Sequence, residues 1–202
     1  MEIHVIKVGA IDTNCYILVD KYKTCWLIDP GNDADKIIKK LNSLQAKPSK
    51  ILLTHGHFDH IEAVSRLKQI YSEIIVYMHV SDKPFITNNS IWESYLGRPL
   101  ISASYDQAIS DGDIVEEGEL RSKVIYTPGH SPGSVCYLIG TDLFSGDTVF
   151  AYGGIGRTDL WSSSASEMRM SLKKIFSLEE DYNIYPGHGS ATTLGREKAY
   201  RS

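Results

Sequence analysis

Little in this chain calls for a staple, a membrane or a polyanion. It has only three cysteines in 202 residues. Cys15, Cys25 and Cys136 each sit in an apolar run without paired spacing, which excludes a disulfide framework and predicts buried, reduced thiols. A chain of this length buries roughly 70% of its unfolded surface and needs no cross-links to hold a core. No window reaches the ~18 consecutive apolar residues of a membrane span. The start, Met1-Glu2-Ile3-His4-Val5-Ile6-Lys7, alternates polar and apolar residues and carries none of the three parts of a secretory signal, so a cytoplasmic protein with no membrane partner is expected. Excess positive charge is missing too: 21 basic against 25 acidic side chains give a net −4, which leaves no global field to grip nucleic acid. Linkers, low-complexity tracts and repeats are absent, so the expectation is a single mixed α/β domain over residues 1–202.

What is present is an orderly series of strands and helices. Residues 2–8, 14–19 and 25–28 read as an opening β-meander. After the Asp29-Pro30-Gly31-Asn32 break, Ala34, Ile37, Ile38, Leu41 and Leu44 recur at helical spacing, predicting a helix over 33–45. A strand at 51–54 leads into a histidine-rich loop, and Ile61, Val64, Leu67 and Ile70 predict a second helix before a strand at 74–77. Residues 86–105 are less periodic and carry Trp92, Tyr95 and Pro99 behind Asn88-Asn89-Ser90, an excursion of the kind that forms lids. Strands return at 114–115, 124–126, 134–139 and 143–144, followed by a helix over 165–178 and a short strand at 183–185.

Four loops share one grammar: an apolar strand ends, a Gly or Pro turns the chain, and a metal-capable side chain follows. They are Thr54-His55-Gly56-His57-Phe58-Asp59-His60, Thr127-Pro128-Gly129-His130, Ser145-Gly146-Asp147 and Tyr185-Pro186-Gly187-His188. Strand ends are where α/β folds gather ligands from distant parts of the chain. His55 and His57, two apart, point to the same side of an extended segment, whereas a helix would set them roughly 200° apart. With Asp59, His60, His130, Asp147 and His188 they offer more donors than the three or four a single zinc takes, so two ions with Asp147 as a bridge is the natural count. Such a pair lowers the pKa of a water held between the ions and so supplies a nucleophile without serine or cysteine; Asp59 is placed to orient that water and collect its proton. His4 and His79 lack the turn grammar and read as ordinary histidines.

The pattern HxHxDH at 55–60, with His130, Asp147 and His188 in that order downstream, resembles the metallo-β-lactamase superfamily. The resemblance extends to Asn14-Cys15-Tyr16 and Ile28-Asp29-Pro30-Gly31 and so covers nearly the whole chain. It implies a four-layer αββα sandwich with a metal site at one edge of the paired sheets. It also implies that His55, His57 and His130 hold one metal, that Asp59, His60 and His188 hold the other, and that Asp147 bridges them. Asp29 would brace the ligand loop without touching a metal.

Within the superfamily, Ser145-Gly146-Asp147-Thr148-Val149-Phe150 followed by Gly153-Gly154-Ile155-Gly156-Arg157-Thr158-Asp159 is similar to the glyoxalase II group and its short relatives. That likeness implies a hydrolase of thioesters such as S-D-lactoylglutathione, without the further C-terminal glutathione-binding domain of the long enzymes. The cofactors would be two divalent ions, zinc first, with iron or manganese suited to the same donors. Arg157 falls where the group places a basic residue that meets glutathione, against the plainer reading of an ion pair with Asp159. Tyr152, Trp92 and Tyr95 are candidate apolar walls. Mono-iron persulfide dioxygenases, using positions 55, 130 and 147, and lactone or ester hydrolases of the same superfamily are the alternatives.

Overall fold

Along each strand, successive side chains point to opposite faces, and the apolar residues sort accordingly into three buried layers. The computed structural model describes residues 1–88, 90–100 and 102–201. Its first sheet contains β1 (Glu2–Val8), β2 (Thr13–Val19), β3 (Thr24–Ile28), β4 (Lys47–Leu52), β5 (Ile75–His79) and β6 (Gln107–Ile109), hydrogen-bonded in that order. Pairing is antiparallel from β1 to β3 and parallel from β3 to β6. The second sheet contains β7 (Ile114–Glu117), β8 (Leu120–Tyr126), β9 (Val135–Ile139), β10 (Asp142–Gly146), β11 (Asn183–Pro186) and β12 (Thr192–Thr193), antiparallel except between β10 and β11.

Helices α1 (Ala34–Leu44), α2 (Phe58–Ile61), α3 (Val64–Ile70), α4 (Lys83–Thr87) and α5 (Ser90–Leu96) belong to the first half, and α6 (Ala165–Phe176) and α7 (Leu194–Ala199) to the second. Tyr16, Leu18, Trp26, Ile28 and Leu52 of the first sheet meet Val124, Val135, Tyr137 and Phe144 of the second in a core between the sheets. Their strand neighbours Cys15, Ile17, Cys25, Leu27 and Ile51 face the other way and pack with Ile37 and Leu41 of α1 and Val64 and Leu67 of α3. On the far side, Ile125, Cys136 and Leu143 pack with Ile175 of α6 and Leu194 of α7. The result is the expected αββα order. All three cysteines are buried and free, and no described helix is long and apolar enough to cross a membrane.

Two expectations shift. The helix read through 61–70 is broken, because the carbonyls of Gly31 and Pro30 take the amides of Glu62 (3.0 Å) and Ala63 (3.1 Å). The excursion at 86–105 is partly helical, as α5; its residues Asn89 and 101 lie outside the described residues. Helix α6 begins as its sequence suggests, with the Ser164 hydroxyl accepting from the Glu167 amide. The parallel strands β3, β4 and β5 end at one edge of the first sheet, and β8, β10 and β11 end at the adjoining edge of the second. The edges are tied together there: the Val135 amide donates to the Thr54 carbonyl at 2.8 Å and the Tyr137 hydroxyl to that of Leu53 at 2.8 Å.

Candidate metal centre

Each of the four turn loops leaves a strand at this common edge, and their histidines and aspartates converge. Ligand atoms of His55, His57 and His130 lie within 4.8 Å of one another, and so do those of Asp59, His60 and His188. Asp147 stands between the two groups: Oδ1 is 3.5 Å from His60 Nε2, and Oδ2 is 3.4 Å from His130 Nε2 and 3.7 Å from His188 Nε2. Asp59 Oδ2 is 3.2 Å from both His60 Nε2 and His188 Nε2, and also accepts from the Thr13 hydroxyl. Gly187 is required for this approach, since a Cβ there would come 2.2 Å from Asp147 Oδ1. Gly31 is required next door, where a Cβ would lie 1.6 Å from the Asp59 carbonyl oxygen.

The hydrogen bonds determine which ring nitrogen of each histidine is free. His60 Nδ1 donates to Asp29 Oδ2 at 2.9 Å, His130 Nδ1 to the Arg157 carbonyl at 3.0 Å, and His188 Nδ1 to the Ile11 carbonyl at 3.2 Å. The Thr54 hydroxyl spends its proton on Asp29 Oδ2 at 2.6 Å, so its contact with His55 Nδ1 at 3.1 Å is one in which His55 donates. Four imidazoles therefore aim Nε2 at the centre, the orientation in which second partners prepare a histidine for a metal, which takes the place of any proton held there. Asp29 also accepts from the Thr54 amide at 2.8 Å. Its oxygens are consumed by bracing, although it sits close enough to His55 and His60 to be counted as a donor with them.

Electrostatics point the same way. Burial, helped by the neighbouring imidazoles, holds His55 and His57 well below the usual histidine range, so both are neutral. Burial also opposes charge on His60, but Asp59, Asp29 and Asp147 outweigh it and push its pKa well above that range. His188 is raised as well: burial opposes charge there too, and the hydrogen bond to Asp59 and the charge of Asp147 prevail. Burial would raise the Asp59 carboxyl, yet His60 and His188 hold it well below the usual carboxylate range. Three carboxylates thus draw positive charge into a buried space. His55 Nε2, His57 Nε2, His60 Nε2 and Asp147 Oδ1 are buried there without a hydrogen-bond partner. A buried unpartnered nitrogen or carboxylate oxygen costs free energy that a coordinated cation removes, so the residues fit divalent metal.

The metallo-beta-lactamase superfamily model matches residues 8–188. The chain belongs to that superfamily. Among relatives, it is 33% identical to hydroxyacylglutathione hydrolase GloC of Haemophilus influenzae, over 98% of this chain and 95% of that one. Among solved structures, it is similar to the BLEG-1 B3 metallo-beta-lactamase, with a TM-score of 0.92 and 37% identity over 98% of this chain and 97% of that one. The similarity to TTHA1623, solved in a di-iron-bound form, gives a TM-score of 0.86 and 31% identity over 96% of each chain. These likenesses make the chain a metallohydrolase-superfamily enzyme with a histidine-rich candidate metal site.

The landmarks outside the ligand set acquire physical reasons. Asn14 Nδ2 donates to the Pro186 and Gly189 carbonyls, both at 3.0 Å, and the Tyr16 hydroxyl donates to Pro186 at 2.6 Å. Together they pin the loop that presents His188. A residue that sequence reasoning missed does the same for the other group. Asp82, fully buried after β5, accepts from the Gly56 amide (2.8 Å) and the Ser131 hydroxyl (2.6 Å) on Oδ2 and from the Gly133 amide (2.5 Å) on Oδ1. It clamps the loop of His55 and His57 to the loop of His130. Its only signal was an aspartate shortly beyond a strand, on the edge where the other donors lie.

Above the donors opens a cleft of about 450 Å³, with His57, Asp59, His130, Asp147 and His188 in its floor. Trp92 and Tyr95 line it as expected, with Phe58, Phe150, Ile155 and Leu160. Arg157 lines it too, and its Nε and Nη2 pair with Asp159 at 2.9 and 3.0 Å. Tyr152 requires correction: it is 77% exposed, adopts φ 61° and packs on Tyr200, away from the cleft. Glu197 takes the Tyr152 and Gly153 amides at 3.1 and 2.7 Å and sets that turn, leaving Phe150 and Ile155 on either side of it to form the wall. His79 stacks on Tyr126 at 4.4 Å and His4 lies beside Glu2, both outside the centre.

Proposed function

We propose that the centre holds two divalent ions, zinc first among them, and hydrolyses thioesters. His55, His57 and His130 would hold one ion, Asp59, His60 and His188 the other, with Asp147 shared. When bound, such ions polarise a carbonyl and lower the pKa of water from 15.7 toward ~7. The observation that carries the reading is the convergence of these donors, several with buried unpartnered atoms, on the floor of one cleft. In the reaction RCO–SR′ + H2O → RCOO⁻ + R′SH + H⁺, a C–O bond forms from water and the C–S bond breaks. One proton of water ends on the thiol. The other is released to solvent, and Asp59, which lines the cleft, is placed to orient the attacking water. Asp29, Thr54 and the Arg157 and Ile11 carbonyls keep the imidazole lone pairs aimed while this happens.

A thioester suits a site with no nucleophilic side chain, because a thiolate departs without needing a strong acid. The GloC relative is a hydroxyacylglutathione hydrolase, which supports the same class. The test is metal content by elemental analysis, with thiol release from S-D-lactoylglutathione and simple acyl thioesters, alongside ester, lactone and persulfide substrates. Two ions per chain are expected, with thiol release abolished by chelation and by His57→Ala or Asp147→Ala. One iron per chain with oxygen consumption on a persulfide, or no thioester turnover by metal-replete protein, overturns the reading.

A further inference from the structure

The walls of the cleft carry information that the metal donors do not. Phe58, Trp92, Tyr95, Phe150, Ile155 and Leu160 surround the floor, and Ile155 and Tyr95 remain 39% and 66% exposed. Apart from the proposed ligands, Arg157 is the one charged residue in the described lining, and Asp159 neutralises it through both carboxylate oxygens. Trp92 is buried, lies 4.9 Å ring to ring from His57, and its indole N–H has no partner among the described residues. The wall is therefore apolar, with one unused donor beside the floor and no unpaired cation.

From this we infer that the cleft selects thioesters with an uncharged, apolar acyl chain and a neutral thiol arm over those of glutathione. The inference rests on the thioesterase reading and narrows it. A tripeptide arm with two carboxylates meets no unpaired positive side chain, and engaging Arg157 requires displacing Asp159, an exchange of one exposed ion pair for another that gains little. An alkyl chain instead removes apolar wall and apolar ligand from water together, about fourfold in binding for each buried methylene. The Trp92 indole is free to donate to an oxygen of the acyl group or of the arm.

Two arms of one experiment decide the matter. In the first, kcat/KM of metal-replete protein is measured for acetyl, butyryl and hexanoyl thioesters of N-acetylcysteamine and for S-D-lactoylglutathione. The rise from acetyl to hexanoyl should be on the order of 100-fold, and butyryl should exceed S-D-lactoylglutathione by at least about tenfold. Asp159→Asn, which frees the guanidinium, and Ile155→Arg, which adds one at a partly exposed position, should each shift that ratio toward the glutathione substrate. Trp92→Ala should flatten the chain-length series. In the second arm, calorimetric titration with uncleavable thioethers should find S-hexyl-N-acetylcysteamine binding more tightly than S-propyl-N-acetylcysteamine and than S-hexylglutathione. Thioester turnover that is flat with chain length, or that favours glutathione in the unmodified protein, overturns the inference and leaves the thioesterase reading standing. Thioethers binding in the expected order with no thioester cleaved would overturn the thioesterase reading and keep the selectivity of the cleft.

Discussion

Asp82 tests whether the two loops of the first donor group depend on the clamp that holds them together. In Asp82→Ala the Gly56 and Gly133 amides lose a charged acceptor inside a fully buried site, while the Ser131 hydroxyl retains the Ser134 hydroxyl at 2.8 Å. Two orphaned donors at about 1–3 kcal/mol each, partly relieved by water entering the vacated space, give a loss of about 3 kcal/mol. For a chain of this size that lowers Tm by about 6–12 °C, from a total stability of order 5–15 kcal/mol. The protein still folds, so its metal content remains measurable. His57 and His130, whose rings lie 4.5 Å apart across the clamp, then lose the brace that fixes their separation, and metal affinity should fall about 10–100-fold.

Asp82→Asn separates packing from bracing. It keeps the volume but turns an NH2 group toward amides that are themselves donors, so a smaller thermal loss should accompany the same fall in affinity. Melting curves of the apo-protein and competitive chelator titrations measure the two quantities independently. If both variants melt earlier yet bind metal as tightly as the parent, Asp82 supports the fold alone and the clamp argument is refuted.

Metal addition to chelator-treated protein should raise Tm by about 5–11 °C at a hundredfold excess over Kd, the equivalent of about 2.7 kcal/mol, and an unchanged Tm would remove the metal from the centre. Gly187→Ala drives a methyl group toward Asp147 Oδ1, at 2.2 Å, and the His60 ring, at 2.8 Å; bound metal should drop with the circular dichroism preserved, and full occupancy would contradict the packing described. Glu117 joins the two sheets through Oε2, which takes Lys50 Nζ at 2.7 Å, the Ser49 hydroxyl at 2.5 Å and the Trp26 indole at 3.0 Å. Burial raises this carboxyl, but those three partners outweigh it and leave its pKa depressed. A depressed carboxylate contributes stability above its unfolded pKa of about 4.3 and loses it as pH falls through the lower folded value. Glu117→Gln should therefore cost about 1 kcal/mol at pH 7, kept small by partial solvation, with the gap closing below about pH 4; a gap independent of pH would assign the effect to shape instead of charge.

The convergent histidines and aspartates were legible because their loops are announced locally: an apolar strand, a Gly or Pro turn, and His or Asp, four times over. The αββα order was legible only through the family resemblance: β2 is buried on both faces, so nothing in its sequence says that Tyr16 and Leu18 pack between the sheets while Cys15 and Ile17 pack under the helices. The missed features depend on partners far away in sequence. Asp82 carries no Gly or Pro beside it, and its meaning lies in amides 26 and 51 residues distant. The break between α2 and α3 comes from the carbonyls of Pro30 and Gly31, not from any weakness in the periodicity of 61–70. Strands β6 and β12, three and two residues long, are defined by the neighbours they pair with, as is α7, whose start depends on Thr193 accepting from the Arg196 amide.

Tyr152 shows the same division from the other side. An aromatic beside two glycines has the composition of a pocket wall, but Glu197, 45 residues away, captures its amide and turns the ring to solvent, so the wall passes to Phe150 and Ile155. Arg157 follows suit: its side chain pairs two residues on with Asp159, while its carbonyl orients His130 from 27 residues away. In this chain the groups proposed to meet a metal are written in short words, and the groups that aim them are written in long-range hydrogen bonds. A variant in the second class should therefore leave the motif intact on paper while emptying the site, which is why metal content, more than sequence, is the quantity that reports whether the centre is built.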